Sequence, residues 1–384
     1  MGPLKGIKVI EFAGIGPAPM CAMLMADLGA TVIRLDRPQK AALGIEKLLQ
    51  FDITLRNRPA ISIDLKKPAG VAAARSLLAE ADVCLEGFRP GVMERLGLGP
   101  KECLEVNPKL VYGRMTGWGQ EGPLSQNAGH DVNYIAITGV LHAIGRAGQA
   151  PTPPLNLVGD YGGGALYLAF GCLAAVISAR QTGKGQVVDA AMVDGAASLM
   201  MNFYGNHAAG LNVPTRGANI VDSGAPYYDA YECADGEYLA VGAIESRFRS
   251  ELLTKLGLDA HAVSGDDRAD WPRLRELLAG VIKTRSRDEW AALFAESDAC
   301  VSPVLSMAEA PLHPHNVARG TFFKDENGVV QAKPAPRFSG TPAGTPTPPR
   351  QTDENAASAL QDWGVATETI AQWKRDKLVG FTGI

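Results

Sequence analysis

The chain has 384 residues, 46% of them hydrophobic and 20% charged, which suits a globular protein of two domains or one elaborated one. A net charge of −4 gives no overall positive field, so nucleic acid is excluded as the principal partner. Six scattered cysteines without a Cys-x-x-Cys pair read as reduced thiols, and no apolar stretch is expected to reach membrane-spanning length free of charge. The expectation is a cytoplasmic chain that needs no membrane.

The first third alternates β-branched runs with helical patterns. Ile7–Glu11 predicts a buried strand, followed by a Gly/Pro turn and a helix over 17–28. Strands at 31–35 and 60–64, a Pro68-started helix to Ala79, and strands at 82–86 and 110–113 continue the alternation. Strands separated by helices imply parallel βαβ units, hence an α/β sheet covered on both faces. Helices are expected over 130–142 and 163–180, then a strand at 186–190 and a Met-rich helix ending near Gly210. Residues 1–210 are therefore assigned to a large α/β domain, and the Gly/Pro/Asn-rich 211–227 to a linker.

The texture changes at 228. Two apolar runs, 230–233 and 238–242, flank Asp235-Gly236 and predict a hairpin. Helical patterns at 247–256, 271–284 and 287–295 complete a smaller α+β domain over 228–330. Residues 331–384 begin with a proline-rich return segment and end in helices at 354–363 and 367–375, expected to pack on the large domain.

Two patches carry candidate chemistry: Gly129-His130-Asp131-Val132-Asn133-Tyr134 and Asn156-Leu157-Val158-Gly159-Asp160-Tyr161-Gly162-Gly163-Gly164. Each stands where a loop enters a helix, so unpaired backbone N–H groups can hold developing negative charge. A histidine and a carboxylate presented this way can pass a proton to and from a carbon acid. The same residues also suit a helix N-cap and a satisfied helix-end histidine. Glu245, past the second hairpin strand, is suitably typed to orient a histidine or to be an exposed strand end.

Other signals are weaker. Gly14-Ile15-Gly16 with Asp36 imitates a dinucleotide fingerprint, but Pro17 and Pro19 replace the third glycine. Arg34, Arg37, Arg56, Arg58, Lys66, Lys67, Arg89 and Arg95 gather near predicted strand ends, where a polyanion would sit. His142, His207 and His261 are isolated and His313-Pro314-His315 has no acidic or thiol neighbours, so no metal site is expected. The absence of Gly-x-Ser-x-Gly argues against a serine hydrolase of that fold.

On these two patches, and on Leu4–Glu11, Ala26-Asp27-Leu28-Gly29-Ala30, Glu86-Gly87-Phe88-Arg89-Pro90-Gly91, Gly117–Pro123, Gly183–Gln186 and Tyr231–Gly236, the chain resembles the family III CoA-transferase superfamily, in its α-methylacyl-CoA racemase branch. The resemblance implies a Rossmann-like large domain, a smaller α+β domain and an interlocked homodimer. It implies an acyl-CoA thioester substrate, a place in lipid metabolism, and no cofactor beyond the substrate's own CoA. It also implies that His130 and Asp160 exchange the α-proton while Glu245 supports the histidine. CoA contacts carry over to Arg37, to Ile63, Asp64, Leu65 and Lys66, to Gly87, Phe88 and Arg89, to Arg95, and to Gly129, Asp131, Val132, Asn133 and Tyr134. The alternative is a family III CoA-transferase moving CoA between carboxylic acids, with Asp160 as nucleophile. The acyl wall is expected from the Met-rich helix 192–201 or from Ile15.

Overall fold

The computed structural model describes residues 2–39, 44–259, 265 and 267–380. By contacts the chain divides into two units, Met1–Thr138 with Leu155–Leu199 and His315–Ile384, and Gly139–Pro154 with Met200–Pro314. Compared with the sequence boundaries, 139–154 and 200–210 join the second unit and 315–330 joins the first.

The first unit is built on a six-stranded parallel sheet. In chain order it runs β1 (Lys8–Phe12), α1 (Pro17–Asp27), β2 (Thr31–Asp36), β3 (Ala60–Ser62), α2 (Pro68–Leu78), β4 (Val83–Glu86), α3 (Val92–Arg95), α4 (Pro100–Val106) and β5 (Val111–Thr116). Then come α5 (Asp131–Ala136), a π-helix (Leu157–Ala165), α7 (Leu166–Thr182), β6 (Gln186–Ala191) and α8 (Met192–Leu199), with α6 (Val140–Ala143) belonging to the second unit. The strand order is β3-β2-β1-β4-β5-β6 and every neighbour is parallel. This is a doubly wound sheet whose order reverses between β1 and β4, the place where such sheets open a ligand crevice at their carboxyl ends.

Alternation along the strands feeds two separate cores. Ile10, Ile33, Cys84 and Tyr112 pack on α2 on one face. Val9, Val32, Val83 and Val111 pack on α1 and α7 on the other. Strands buried on both sides are largely apolar, which is why the β-branched runs were readable, and their buried charges are paired, as Glu11 is with Arg58 and Glu86 with Arg114.

The helix expected over 130–142 is two. Gly139 adopts a left-handed backbone (φ 74°) between α5 and α6, and a helix cannot pass through that conformation. The helix expected from Gly163 begins earlier, as a π-helix at Leu157 that runs directly into α7. One further expectation fails here: 161–179 contains no charged residue, and Leu157–Thr182 is long and apolar enough to cross a membrane by length and composition. In the fold one face of that helix covers the sheet through Leu168, Cys172 and Val176.

The second unit continues with α9 (Met201–Ala208), an antiparallel sheet of β7 (Tyr228–Glu232), β8 (Tyr238–Gly242) and β9 (Val301–Pro303), and helices α10 (Ser246–Lys255), α11 (Trp271–Ile282) and α12 (Arg287–Phe294). The hairpin turn is the expected one, and β9 adds a third strand. Residues 211–227, expected as a linker, are folded into this unit. Asp222 accepts the N–H groups of Gly217 and Asn219, and Arg216 donates to the carbonyl of His142.

The chain then returns to the first unit. α13 (Pro314–Arg319) precedes a short pair, β10 (Phe322–Lys324) and β11 (Val330–Ala332). Finally α14 (Ala356–Trp363) and α15 (Thr367–Arg375) bury Leu360, Trp363, Ile370 and Trp373 in the core beside α2. Asp353 fastens this segment to β3, its carboxylate accepting the Ser62 N–H and hydroxyl at 2.6 Å each.

Candidate active site

The β1–α1 turn stands at the switch point of the sheet. Gly16 there has φ 69° and leads into a helix with prolines at its first and third positions. A side chain on Gly16 would meet Asp160 Oδ2 at 3.3 Å, so the carboxylate of the second patch lies over this turn. The π-helix delivers it: Asp160 is half-buried in the first part of that helix.

Asp160 is held from two sides. Its backbone N–H donates to Asp131 Oδ2 at 2.7 Å, and its Oδ2 accepts from Asn156 Nδ2 at 3.0 Å. Burial pushes its carboxyl above the ordinary value, the Asn156 hydrogen bond opposes that, the charge of Asp131 adds to it and His130 counteracts it. His130 is thus within electrostatic reach of Asp160. It is the exposed N-cap of α5, and its own N–H donates to Asn133 Oδ1 at 3.0 Å.

The rest of the first patch forms the floor. Tyr134 is buried, its hydroxyl donates to the Gly129 carbonyl, and its ring stands edge-on to Trp118 at 4.8 Å. Burial raises its phenol to about 12, and Arg89 acts against that, so the β4–α3 turn lies beside this patch. Gln126 Nε2 also donates to the Pro90 carbonyl at 3.2 Å. Val132 and Asn133 are exposed, whereas Asp131 is only 5% exposed.

The turn Gly87-Phe88-Arg89 is anchored by Glu86, whose fully buried carboxylate accepts the Phe88 N–H at 2.7 Å and the Arg114 Nε–H at 2.9 Å. Burial lifts Glu86 to about 7 against these two donors. Arg37 lies over the Phe88 ring at 5.9 Å, which brings the ends of β2 and β4 together. Lys66, Leu65 and Arg95 line an open cavity of about 700 Å³ with Lys67 and Arg75. Arg75 was not foreseen, because a lone arginine on an apolar helix carries no signal of its own. Asp64 caps the turn by accepting the Lys66 N–H at 3.1 Å, and Ile63, only 1% exposed, sits in the core with no side chain to offer a ligand.

The basic cluster read from the sequence splits in two. Arg56 and Arg58 are 4% and 5% exposed and pair with Asp27 and Glu11, so they serve the fold and not a phosphate. Arg34 is likewise beside Glu11 and Asp36. Arg37, Lys66, Lys67, Arg89 and Arg95 stay exposed.

Met192 is buried beneath Gly164, and Met201 is exposed and belongs to the other unit. Ile15 and Leu157 are the exposed apolar groups beside Asp160 in sequence or turn, at 45% and 53%. Glu245 lies in the second unit as the exposed N-cap of α10, near Cys300. Among the described residues no group of three or more His, Cys, Asp or Glu is placed to hold a metal, and His261 falls outside them.

A doubly wound sheet carrying a His/Asp pair at its switch point defines a class of α/β enzyme, and the comparisons specify it. Residues 4–354 match the model for CoA-transferase family III, and the chain belongs to that family. It is 42% identical over 379 residues to the alpha-methylacyl-CoA racemase of Mus musculus, covering 98% of this chain and 97% of that one. It is 41% identical over 383 residues to the Homo sapiens protein of the same name, with the same coverage. Among solved structures, a CAIB/BAIF family protein from Brucella suis superposes with a TM-score of 0.80 at 26% identity, covering 94% of this chain and 99% of that one.

Proposed function

We propose that this chain is an isomerase, a racemase that interconverts (R)- and (S)-2-methylacyl-CoA thioesters. The observation that carries the reading is the Asp160 carboxylate, held proton-accepting by burial and set within the field of His130 over the switch-point turn. An α-C–H beside a thioester is a weak acid, so its removal needs a base near neutral pH and a place for the enolate charge. Racemisation needs in addition an acid on the other side of the carbon, with roles exchanged between epimers. One imidazole and one carboxyl meet that requirement with a single proton shared between them.

In this reading His130 takes the α-proton of one epimer while a protonated Asp160 delivers its own, different proton to the opposite face of the enolate. The unpaired N–H groups that open α5 hold the enolate oxygen. Arg37, Lys66, Arg89 and Arg95 supply exposed cations for the CoA phosphates, and Ile15 and Leu157 an apolar surface for the acyl chain. No cofactor beyond the substrate's CoA is required, and the working protein is a homodimer in the cytoplasm.

The test is loss of optical purity from single epimers of 2-methylacyl-CoA. Wild type is expected to racemise both, His130→Ala and Asp160→Ala each to lose about 10²–10⁴-fold. If His130→Ala keeps most activity, and CoA passes to an added carboxylic acid, the chain is instead a transferase with Asp160 as its nucleophile.

A further inference from the structure

Asp131 is the least expected residue of the site. It follows the proton-carrying histidine, yet it is 5% exposed and makes no ion pair among the described residues. One carboxylate oxygen, Oδ2, accepts the Asp160 N–H at 2.7 Å, and the other, Oδ1, is buried with no protein donor. The chain makes room for it at Gly159, where a Cβ would stand 2.6 Å from Asp131 Oδ2. A buried carboxylate with one oxygen left unpaired is costly, and the single Asp160 N–H offsets only part of that cost. Such a group is retained where its field does something.

We propose that Asp131 is the positioning residue of the proton-transfer pair: its buried carboxylate joins the two helix starts, fixes where Asp160 sits and keeps the Asp160 carboxylate ready to accept a proton. The proposal rests on the racemase reading for its purpose but not for its measurement. Asp131 makes its contact through Asp160's backbone, so it restrains the side chain without consuming a lone pair on the reacting oxygens. Its charge then acts on Asp160 in the same direction as burial.

Among the other surroundings of Asp160, the Asn156 hydrogen bond and the His130 charge oppose the rise, and no other neighbour adds a cation beside it among the described residues. From its own helix only Asn156 donates to it. From the β1–α1 turn, Pro17 and Pro19 lack N–H groups, so two donors that a helix start would normally aim at the carboxylate are missing. From α5, besides Asp131, come His130 at its start and Tyr134, whose hydroxyl is committed to Gly129. α8 presents Gly195 and Ala196 to the π-helix, and its Asp194 acts on Asp189 of β6 instead. Arg114 of β5 is paired with Glu86 and Glu94, Arg180 is exposed at the far end of α7, and Asp27 of α1 pairs with Arg56. Arg89 is felt at Tyr134.

The test separates the field from the scaffold. Asp131→Asn keeps an oxygen to accept the Asp160 N–H and removes only the charge. Gly159→Ala keeps the charge but displaces the carboxylate. In both, the carboxyl titration of Asp160, followed by ¹³C NMR of labelled aspartate and assigned with Asp160→Asn, is expected to move to lower pH by about half a unit or more. The acid limb of kcat/KM is expected to move the same way for both epimers, because the pair must shed its first proton to become active. An Asp160 titration unchanged in both variants overturns the proposal, as does an Asp131→Asn protein that matches wild type in its acid limb. The wild-type optical-purity assay is read separately, so a failure there would remove the racemase reading while the NMR result still decides the role of Asp131.

Discussion

Holding Asp160 half-buried beside Asp131 costs folding free energy at neutral pH, because the folded chain binds a proton there more tightly than the unfolded chain does. The folded value is raised, so this group favours the folded state most in acid, below the unfolded carboxyl pKa. That advantage is lost as pH rises toward the raised folded value. Asp160→Asn is therefore expected to unfold at higher denaturant concentration than wild type at pH 7, with the gap closing near pH 3, as urea titrations at the two pH values would show. A gain in stability on removing a catalytic group is the usual trade between function and folding. The histidine and aspartate were legible because glycines and a helix start frame each of them. Asp131 was read only as a possible CoA contact. Its partner lies 29 residues away, and no local pattern announces a carboxylate that turns inward.

At the scale of elements, the π-helix decides where Asp160 stands. Its wider turn brings Gly163 against α8 so closely that a Cβ on Gly195 would lie 1.8 Å from the Gly163 carbonyl oxygen. Gly195→Ala must push the two helices apart, and urea unfolding is expected to show a loss of roughly 1–3 kcal/mol or more with reduced turnover. Five of the six sheet strands were readable to within two residues at each end, and β5, expected over 110–113, runs on to Thr116, since the buried strands are written largely in apolar residues. β3, expected over 60–64, stops at Ser62, and Ile63 only bridges to Val379. The π-helix was not readable, because Gly-rich sequence suits a turn as well as a helix. α3 and the three-residue strands β9, β10 and β11 are too short to show a period. The buried Arg56 and Arg58 looked like part of a polyanion cluster because their acidic partners lie on other elements.

At the scale of the molecule, the reversal of strand order between β1 and β4 is where the β1–α1 turn meets Asp160, and Arg89 of the β4–α3 turn is felt at Tyr134. One surface of the first unit is left bare. Leu166, Phe170 and Ile177 of α7 are 53%, 75% and 60% exposed along a single helical stripe. The dimer reading covers such a stripe with a second copy, and light scattering is then expected to return twice the chain mass of 40.5 kDa. Phe170→Glu should move that mass toward one chain, and a wild-type monomer would contradict the dimer. The central claim is exchange of the α-proton by two groups, and isotope exchange reads it without reference to the acyl chain. Incubated in deuterated water with either pure epimer of a 2-methylacyl-CoA, the protein should place one deuterium at the α-carbon as optical purity falls, which mass spectrometry would detect. Racemisation without solvent deuterium, or exchange undiminished in Asp160→Ala, would contradict the account.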